Sequence, residues 1–455
     1  MKLFEDPKID RRFNRMQWRM LFATMIGYTL FYFMRKNFSF AMPGLQQDCG
    51  ISKAMLGNFL FWGGIVYGLS KFLNGVIGDR MSPKKMFCFG LLVCTLVNVA
   101  FGFAPQLAAI FTGGDTPSMT ALAWTFGLLL VFNQFFQGTG FPPCAKLIAF
   151  WVPPNELATK MSVWNTSHSI GGGLVAKICG VIMGLGVVGA ANQGVGMWRW
   201  CFWAMAALGA LGLLLMLVWL PGTPKAEGLP DLPGTEEVKD ERGKAKEEAE
   251  AGDARMSAMR MVFLNPIIWM LGLINFTINA VRALVADWGP TMLQEAKGMT
   301  PGDAGTVIML FEFAGIAGML FAGWATDRFF GGRAPRLCVF LMALTAGCFA
   351  AFWFLPSTVI GAAALCLGGF CLYGPQALTG VTATNISTKR FAGTSIGFIS
   401  LFSYVGVSVA GKVCGNLAQS SGGWQLPVFV IVGTASVGAA FFLALWRARA
   451  SGYRG

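Results

Sequence analysis

Charge is what this chain is short of. Asp, Glu, Lys and Arg together make up 13% of its 455 residues, about half of the roughly 25% carried by an ordinary soluble domain. Histidine occurs once, at His168. The eleven cysteines fall mainly inside apolar runs (Cys88, Cys94, Cys179, Cys201, Cys338, Cys348, Cys366) and form no CxxC pair or metal-ligand spacing, so they read as small buried apolar residues. No nucleotide loop, zinc spacing or nucleophile elbow stands out, so neither an enzyme nor a metal or cofactor is expected. Together these shortages exclude a soluble enzyme, a nucleic-acid reader and a secreted disulfide scaffold.

What fills the gap is apolar sequence, 55% of residues with a mean hydropathy of +0.58. At about 20 apolar residues per span plus short connections, the length has room for about twelve transmembrane helices. Apolar segments recur at 18–44, 55–79, 84–104, 121–149, 158–187, 199–220, 261–290, 304–326, 336–355, 358–384, 391–417 and 424–446. Membrane barrel strands would instead alternate in short segments, so the expected fold class is an all-α polytopic membrane protein. Glycine, 59 of 455 residues, is nearly twice as frequent as the usual ~7%, as suits helices that approach closely in lipid. The polar start, Met1 to Met20, precedes no small-residue cleavage site, so the first helix is expected to be retained.

The net charge of +13 is explained first by basic cytoplasmic connections. One set of connections holds Arg80, Lys84, Lys85, Lys160, Arg328, Arg333, Arg336, Lys389 and Arg390, and the opposite set is nearly bare. Both termini, with Arg11, Arg12, Arg15, Arg447, Arg449 and Arg454, join the basic side and are expected in the cytoplasm. The charged connection 221–260 reads as a solvated linker between six-helix bundles at 1–220 and 261–455. An internal repeat supports that division. Asp79-Arg80 and Asp327-Arg328 close the second and eighth spans 248 positions apart, while Arg35 and Arg282 lie in the first and seventh spans 247 apart. Such parallel halves mark a transporter whose substrate site is expected where the halves meet, near mid-membrane.

Each charge within the bilayer needs a partner, a cavity or a function. Here they are mostly positive: Arg35, Lys36, Lys71, Lys146, Lys177, Arg282 and Lys412 against Asp287 and Glu312. A cavity lined by excess cations suits an anionic ligand, and arginine's planar fork suits phosphate or carboxylate oxygens. Arg35 and Arg282 are therefore read as a two-arginine anion clamp; the alternative is that each pairs with a carboxylate or snorkels. Tyr28, Tyr32 and Arg35 follow i, i+4, i+7 spacing and share one helix face. Trp164 and His168 likewise lie one turn apart, ahead of a Gly171-Gly172-Gly173 run that suggests close packing or a bend. The imidazole could follow phosphate's protonation state, or be a satisfied core group. Asp79, Arg80, Asp327 and Arg328, at helix ends, are expected in gating salt bridges. Asp287 and Glu312 are either proton carriers or, as the cation excess favours, partners that position nearby cations.

The runs Tyr32-Phe-Met-Arg35-Lys36-Asn37-Phe38, Tyr67-Gly-Leu-Ser-Lys71-Phe72 and Gln137-Gly-Thr-Gly-Phe141-Pro142-Pro143-Cys144 resemble the organophosphate:phosphate antiporters of the major facilitator superfamily. So do Trp164-Asn165 through Gly173, Asp287-Trp288 and Tyr373-Gly374-Pro375-Gln376. The resemblance implies the major facilitator fold of twelve helices. It also implies exchange of inorganic phosphate for glycerol 3-phosphate, a hexose 6-phosphate or phosphoglycerate by alternating access. It makes Arg35 and Arg282 the phosphate ligands, with Lys36, Lys71, His168, Tyr28, Tyr32, Tyr67, Tyr373, Tyr404, Trp164 and Asn165 around them and Asp287 and Glu312 as acidic partners. Asn279, Phe141 and Ile399 depart from residues seen in particular members, and Lys177 and Lys412 are additional cations toward the outer face. A proton-coupled organic-anion symporter and a membrane sensor of external sugar phosphate are the competing readings. The expected setting is a bacterial inner membrane, with the protein working as a monomer on small phosphate esters and inorganic phosphate, without nucleic acid.

Overall fold

The computed structural model describes residues 4–113, 117–188, 196–232, 262–331, 333–386 and 392–447. The acidic and basic run from Glu236 to Arg242 lies outside these residues, as do Lys389, Arg390, Arg449 and Arg454. Among the described residues every regular element is helical. In chain order the α-helices are α1 (Pro7–Cys49), α2 (Lys53–Arg80), α3 (Pro83–Gly102), α4 (Ala104–Thr112), α5 (Met119–Gln137), α6 (Phe141–Trp151), α7 (Pro154–Val188) and α8 (Met197–Trp219). After the central connection come α9 (Pro266–Lys297), α10 (Pro301–Phe329), α11 (Ala334–Phe354), α12 (Thr358–Ile386), α13 (Ala392–Ser420) and α14 (Gln425–Ala444).

Among the described residues ten stretches are long and apolar enough to cross a membrane, with α5 and α6 counted together as Met119–Trp151. Helices α1 and α2, at 43 and 28 residues, are long enough as well.

The expected span 121–149 is a single crossing with a break in it. Helix α5 ends in a tight turn, where the amides of Gly138, Thr139 and Gly140 donate to the carbonyls of Phe135, Phe136 and Gln137. Helix α6 then starts afresh with Pro142 and Pro143 in its first turn. Neither proline has an N–H to continue the ladder, and both suit a helix start. Two further differences are extensions: α1 begins at Pro7, well before position 18, and the short α4 occupies sequence read as loop. By contrast, the Gly171-Gly172-Gly173 run does not break its helix, because α7 is continuous from Pro154 to Val188.

The helix ends carry the expected chemistry. Asn265 caps α9 by accepting from the Ile267 amide, and Pro266 occupies the first turn. That helix stops at Gly298, whose φ of +63° is the left-handed conformation glycine adopts without cost. Thr300 then caps α10, accepting from the Asp303 amide while its hydroxyl donates to the Asp303 carboxylate. Such caps satisfy orphan backbone groups where the chain turns back on itself.

The helices pack as two compact units. One comprises residues 1–38, 66–172 and 199–252, and the other residues 39–65, 173–198 and 253–455. Their boundaries cross α1, α2, α7 and the first turn of α8. In the first unit α3 packs on α5 and α6, and in the second α9 packs most extensively on α13, with α10 and α11 against α12.

Candidate functional site

In the first unit the sequence-singled residues of three helices converge. Tyr28, Tyr32 and Arg35 project from α1, Tyr67 and Lys71 from α2, and Trp164 and His168 from α7. The Arg35 guanidinium lies 4.0 Å from the centre of the Tyr32 ring and 4.6 Å from that of Tyr67. These are cation–π distances, and arginine's flat delocalised cation is the one that stacks on ring faces. Lys71 places its ammonium 4.3 Å from the Phe141 ring and 5.9 Å from that of Tyr67. The Tyr28 ring meets Tyr32 at 5.5 Å and Trp164 at 4.8 Å, and Tyr32 meets His168 at 5.9 Å. Shared helix faces have thus become one aromatic cradle around two cations.

The glycine run makes this convergence possible. A Cβ on Gly171 would sit 2.7 Å from the Tyr32 Cβ and 3.1 Å from the Thr29 carbonyl oxygen, so α1 and α7 touch there with no room for a side chain. The Thr29 hydroxyl donates to the Ser167 carbonyl in the same contact. His168 Nδ1 lies 2.9 Å from the Ser169 hydroxyl, and the imidazole is buried. Asn165, one residue past Trp164, is exposed.

Beneath Arg35 lies a network that sequence reading missed. The side-chain amides of Asn98 and Asn133 both donate to the Met34 carbonyl, at 3.2 and 2.9 Å. Asn37 donates to Asn98 Oδ1 at 2.7 Å and to the Cys201 carbonyl at 3.1 Å. All three asparagines are buried, and they tie the α1 turn bearing Arg35 to α3, α5 and α8. Their signal was present as single amides in otherwise apolar spans, but a neutral residue does not stand out as a buried charge does.

In the second unit, Arg282 on α9 meets Glu312 on α10. One terminal guanidinium nitrogen contacts both carboxylate oxygens, at 3.1 and 3.2 Å. The Tyr373 hydroxyl, from α12, donates to Glu312 Oε2 at 2.5 Å, and its ring centre lies 4.7 Å from the Arg282 guanidinium. Glu312 is 3% exposed and Tyr373 fully buried. Glu312 is thus ion-paired with Arg282. The carboxylate uses one nitrogen of a group with five N–H donors. One turn before Arg282, Asn279 donates to the Asn275 carbonyl and Oδ1, and Asn275 donates to the Ile399 carbonyl. This amide ladder joins two of the positions at which the sequence departs from family members.

The remaining sequence-singled residues are placed as follows. Asp287 is buried, beside Trp288, whose indole donates to the Gly411 carbonyl. Lys36 and Tyr404 are half-buried, and the Lys146 ammonium donates to the Gly78 carbonyl. Asp327 and Arg328 end α10 exposed, with no ion pair among the described residues. The side chains of Asp79 and Arg80 lie outside the described set. Among the described residues no group of His, Cys, Asp and Glu could hold a metal ion.

The chain matches the Major Facilitator Superfamily over residues 24–411, well over half its length. The chain belongs to the major facilitator superfamily. It is thus a multi-pass membrane protein of the twelve-helix transporter fold, and not an enzyme. Among superfamily members, it is similar to the glycerol-3-phosphate transporter of Bacillus subtilis (strain 168), with 31% identity over 446 residues that cover 97% of this chain and 95% of the relative. It is also similar to the membrane sensor protein UhpC of Salmonella typhimurium (strain LT2), with 32% identity over 420 residues, 89% of this chain and 86% of the relative. The fold matches a crystal structure of a bacterial homologue of the human lysosomal transporter Spinster with a TM-score of 0.75, at 16% identity, over 95% of this chain and 97% of that one.

Proposed function

We propose that this protein exchanges an organic phosphate ester for inorganic phosphate across the membrane by alternating access, with Arg35 and Arg282 as the phosphate ligands. The observation that carries the reading is the pair of equivalent arginines. They stand 247 positions apart in the two halves, one against aromatic faces and one against the Glu312 carboxylate, in a membrane interior where cations outnumber carboxylates. Phosphate accepts several charge-assisted hydrogen bonds at once, and the guanidinium fork supplies them in pairs. Tyr28, Tyr32, Tyr67, Lys71, Trp164 and His168 complete the Arg35 side, and Tyr373 and Glu312 the Arg282 side. Lys36, Asn165, Tyr404 and Asp287 complete the proposed set, while Asp79, Arg80, Asp327 and Arg328 act at the helix ends during closure.

Exchange follows from charge. A bound anion lowers the cost of bringing cationic groups of the two halves together, whereas an empty site leaves them to repel one another; turnover therefore needs an anion in each direction. The similarity to a glycerol-3-phosphate transporter supports a phosphate ester as cargo. The basic connections support a membrane orientation with both termini in the cytoplasm, for which we propose a bacterial inner membrane, and the monomer as the working unit.

The test is uptake of labelled phosphate by purified protein in liposomes, with and without phosphate inside, followed by competition with glycerol and sugar phosphates. Uptake that depends on internal phosphate is the expected result. Uptake of an ester that needs no counter-anion but follows a pH gradient would replace exchange with proton symport. A second reading is favoured by the similarity to a membrane sensor protein. A sensor would bind the ester and move none, which the same liposomes distinguish.

A further inference from the structure

Two membrane lysines have no place in the proposed phosphate site. Lys177 on α7 and Lys412 on α13 both belong to the second unit, and each sits in a seam where two helices touch backbone to backbone. Along the α7–α10 seam, a Cβ on Gly180 would lie 2.7 Å from the Pro301 carbonyl oxygen, and one on Gly305 would lie 2.4 Å from that of Ala176. Along the α2–α13 seam, a Cβ on Gly57 would lie 3.1 Å from the Gly411 carbonyl oxygen and 3.2 Å from the Lys412 Cα.

Each lysine reaches across its seam to a neutral partner. Lys177 donates to the Thr306 hydroxyl at 2.8 Å, and that hydroxyl donates in turn to the Gly302 carbonyl. Lys412 places its ammonium 5.1 Å from the centre of the Phe61 ring. Among the described residues neither meets a carboxylate within ion-pair distance. The contrast is Lys53, at the start of α2, which pairs with Glu295 at 2.7 Å, an acid that also accepts from the Trp424 indole. A seam built only to stay shut would carry an apolar residue or a lysine with a carboxylate at these two positions. A hydroxyl and a ring face instead hold an ammonium weakly and let it go when the helices part. The two residues lie at similar depth, about 16 and 12 Å from the last residues of their helices at 1.5 Å per residue. By the charge bias of the connections those ends face outward.

We propose that Lys177 and Lys412 form an anion-capture site at the outer mouth that exists only while the two seams are open. Resting on the exchange reading, it takes phosphate or a phosphate ester arriving from outside and concentrates it at that face. When the seams close, the ammonium groups return to Thr306 and Phe61 and the anion is passed inward.

The experiment measures the KM for phosphate separately from each side, in right-side-out and inside-out membrane vesicles, at low and high ionic strength. It compares the wild type with the double variants K177Q/K412Q and K177R/K412R. Removing two positive charges beside an incoming anion raises the external KM about five- to tenfold at low ionic strength. The difference shrinks in high salt because the site is hydrated when open. The internal KM and kcat stay unchanged, and the arginine variant behaves as wild type. An unchanged external KM overturns the proposal. So does a lowered one, the signature of lysines that only latch the closed form, and so does an equal rise on both sides. Wild-type vesicles that exchange no phosphate overturn the exchange reading and this site with it, whereas normal exchange with unaltered sidedness in the glutamine variant overturns the capture site alone.

Discussion

The position of Tyr373 depends on an absent side chain, and restoring one methyl group tests the Arg282 cluster. Gly315 lies one turn beyond Glu312 on α10, directly under the Tyr373 ring. An alanine Cβ there would fall 2.7 Å from two ring atoms and 2.9 Å from a third, where ordinary contact begins at 3.4 Å. The ring must therefore retreat by roughly 0.7 Å, and it is fully buried, with Phe311 packed against it. Overpacking of this kind costs about 1–3 kcal/mol. The same displacement stretches the 2.5 Å bond from the Tyr373 hydroxyl to Glu312, and a hydrogen bond to a charged group contributes about 1.5–3 kcal/mol. Gly315→Ala should thus lower the melting temperature of the purified protein and slow phosphate exchange in liposomes. Gly323→Ala on the same helix is the control, since its Cβ meets nothing within 4 Å. In a Tyr373→Phe background the penalty of Gly315→Ala should shrink by the share that the hydroxyl carries, because the two changes act on one bond. A Gly315→Ala protein as stable and active as the Gly323→Ala control would refute the link between glycine, ring and carboxylate.

Three further outcomes are expected. Arg35→Lys keeps the charge but replaces a flat cation stacked on Tyr32 and Tyr67 by a point charge without the bidentate fork; exchange should fall at least about tenfold with the melting temperature little changed, and normal exchange would remove Arg35 from the phosphate site. Glu312→Gln leaves the Arg282 charge without its buried partner, at a cost of about 3–5 kcal/mol. Its melting temperature should drop without phosphate and recover with phosphate by more than the wild type gains, so equal phosphate-induced shifts in the two proteins would contradict Arg282 as an anion ligand. Gly171→Ala forces α7 away from α1 at the Tyr32 Cβ, a contact no rotamer change can relieve; intrinsic tryptophan fluorescence from Trp164 should shift and exchange should fall, and an unperturbed protein would refute a role for the α1–α7 contact in placing Tyr32.

Much of this arrangement could be read from the sequence, for identifiable reasons. Buried charge is costly enough that Arg35, Arg282 and Glu312 stand out against apolar spans, and helical spacing puts Tyr28, Tyr32 and Arg35 on one face. Helix crossing points are harder to read, because they depend on which glycine faces which neighbour. Gly315 looks like any other of the 59 glycines, and the Gly171-Gly172-Gly173 run signals close packing or a bend without naming its neighbour, yet Gly171 and Gly315 set the positions of Tyr32 and Tyr373. The Asn37, Asn98 and Asn133 network was hidden for a related reason: an amide in an apolar span is unremarkable until its acceptor, here the Met34 carbonyl, is known. The break between α5 and α6 was legible in Pro142 and Pro143, but the strength of the apolar signal on both sides outweighed them.

The repeat that pairs Arg35 with Arg282 in sequence does not carry over to their surroundings. Aromatic faces attract a guanidinium without cancelling its charge, so the contacts with Tyr32 and Tyr67 orient Arg35 without themselves neutralising it. A carboxylate does cancel it, and Glu312, with both oxygens on one nitrogen of Arg282, brings that cluster close to neutrality. On the proposed reading the two arginines are therefore unlike as phosphate ligands. Arg35 would act as the stronger long-range attractor, and Arg282 would engage only as the anion competes with, or adds to, the bond to Glu312. The carboxylate also limits the build-up of positive charge that would oppose folding, a physical reason for an acid to stand beside Arg282. On this reasoning, removal of Glu312 disturbs the empty protein more than removal of the Tyr67 ring: the first takes a buried opposite charge from beside Arg282, and the second only loosens the orientation of Arg35.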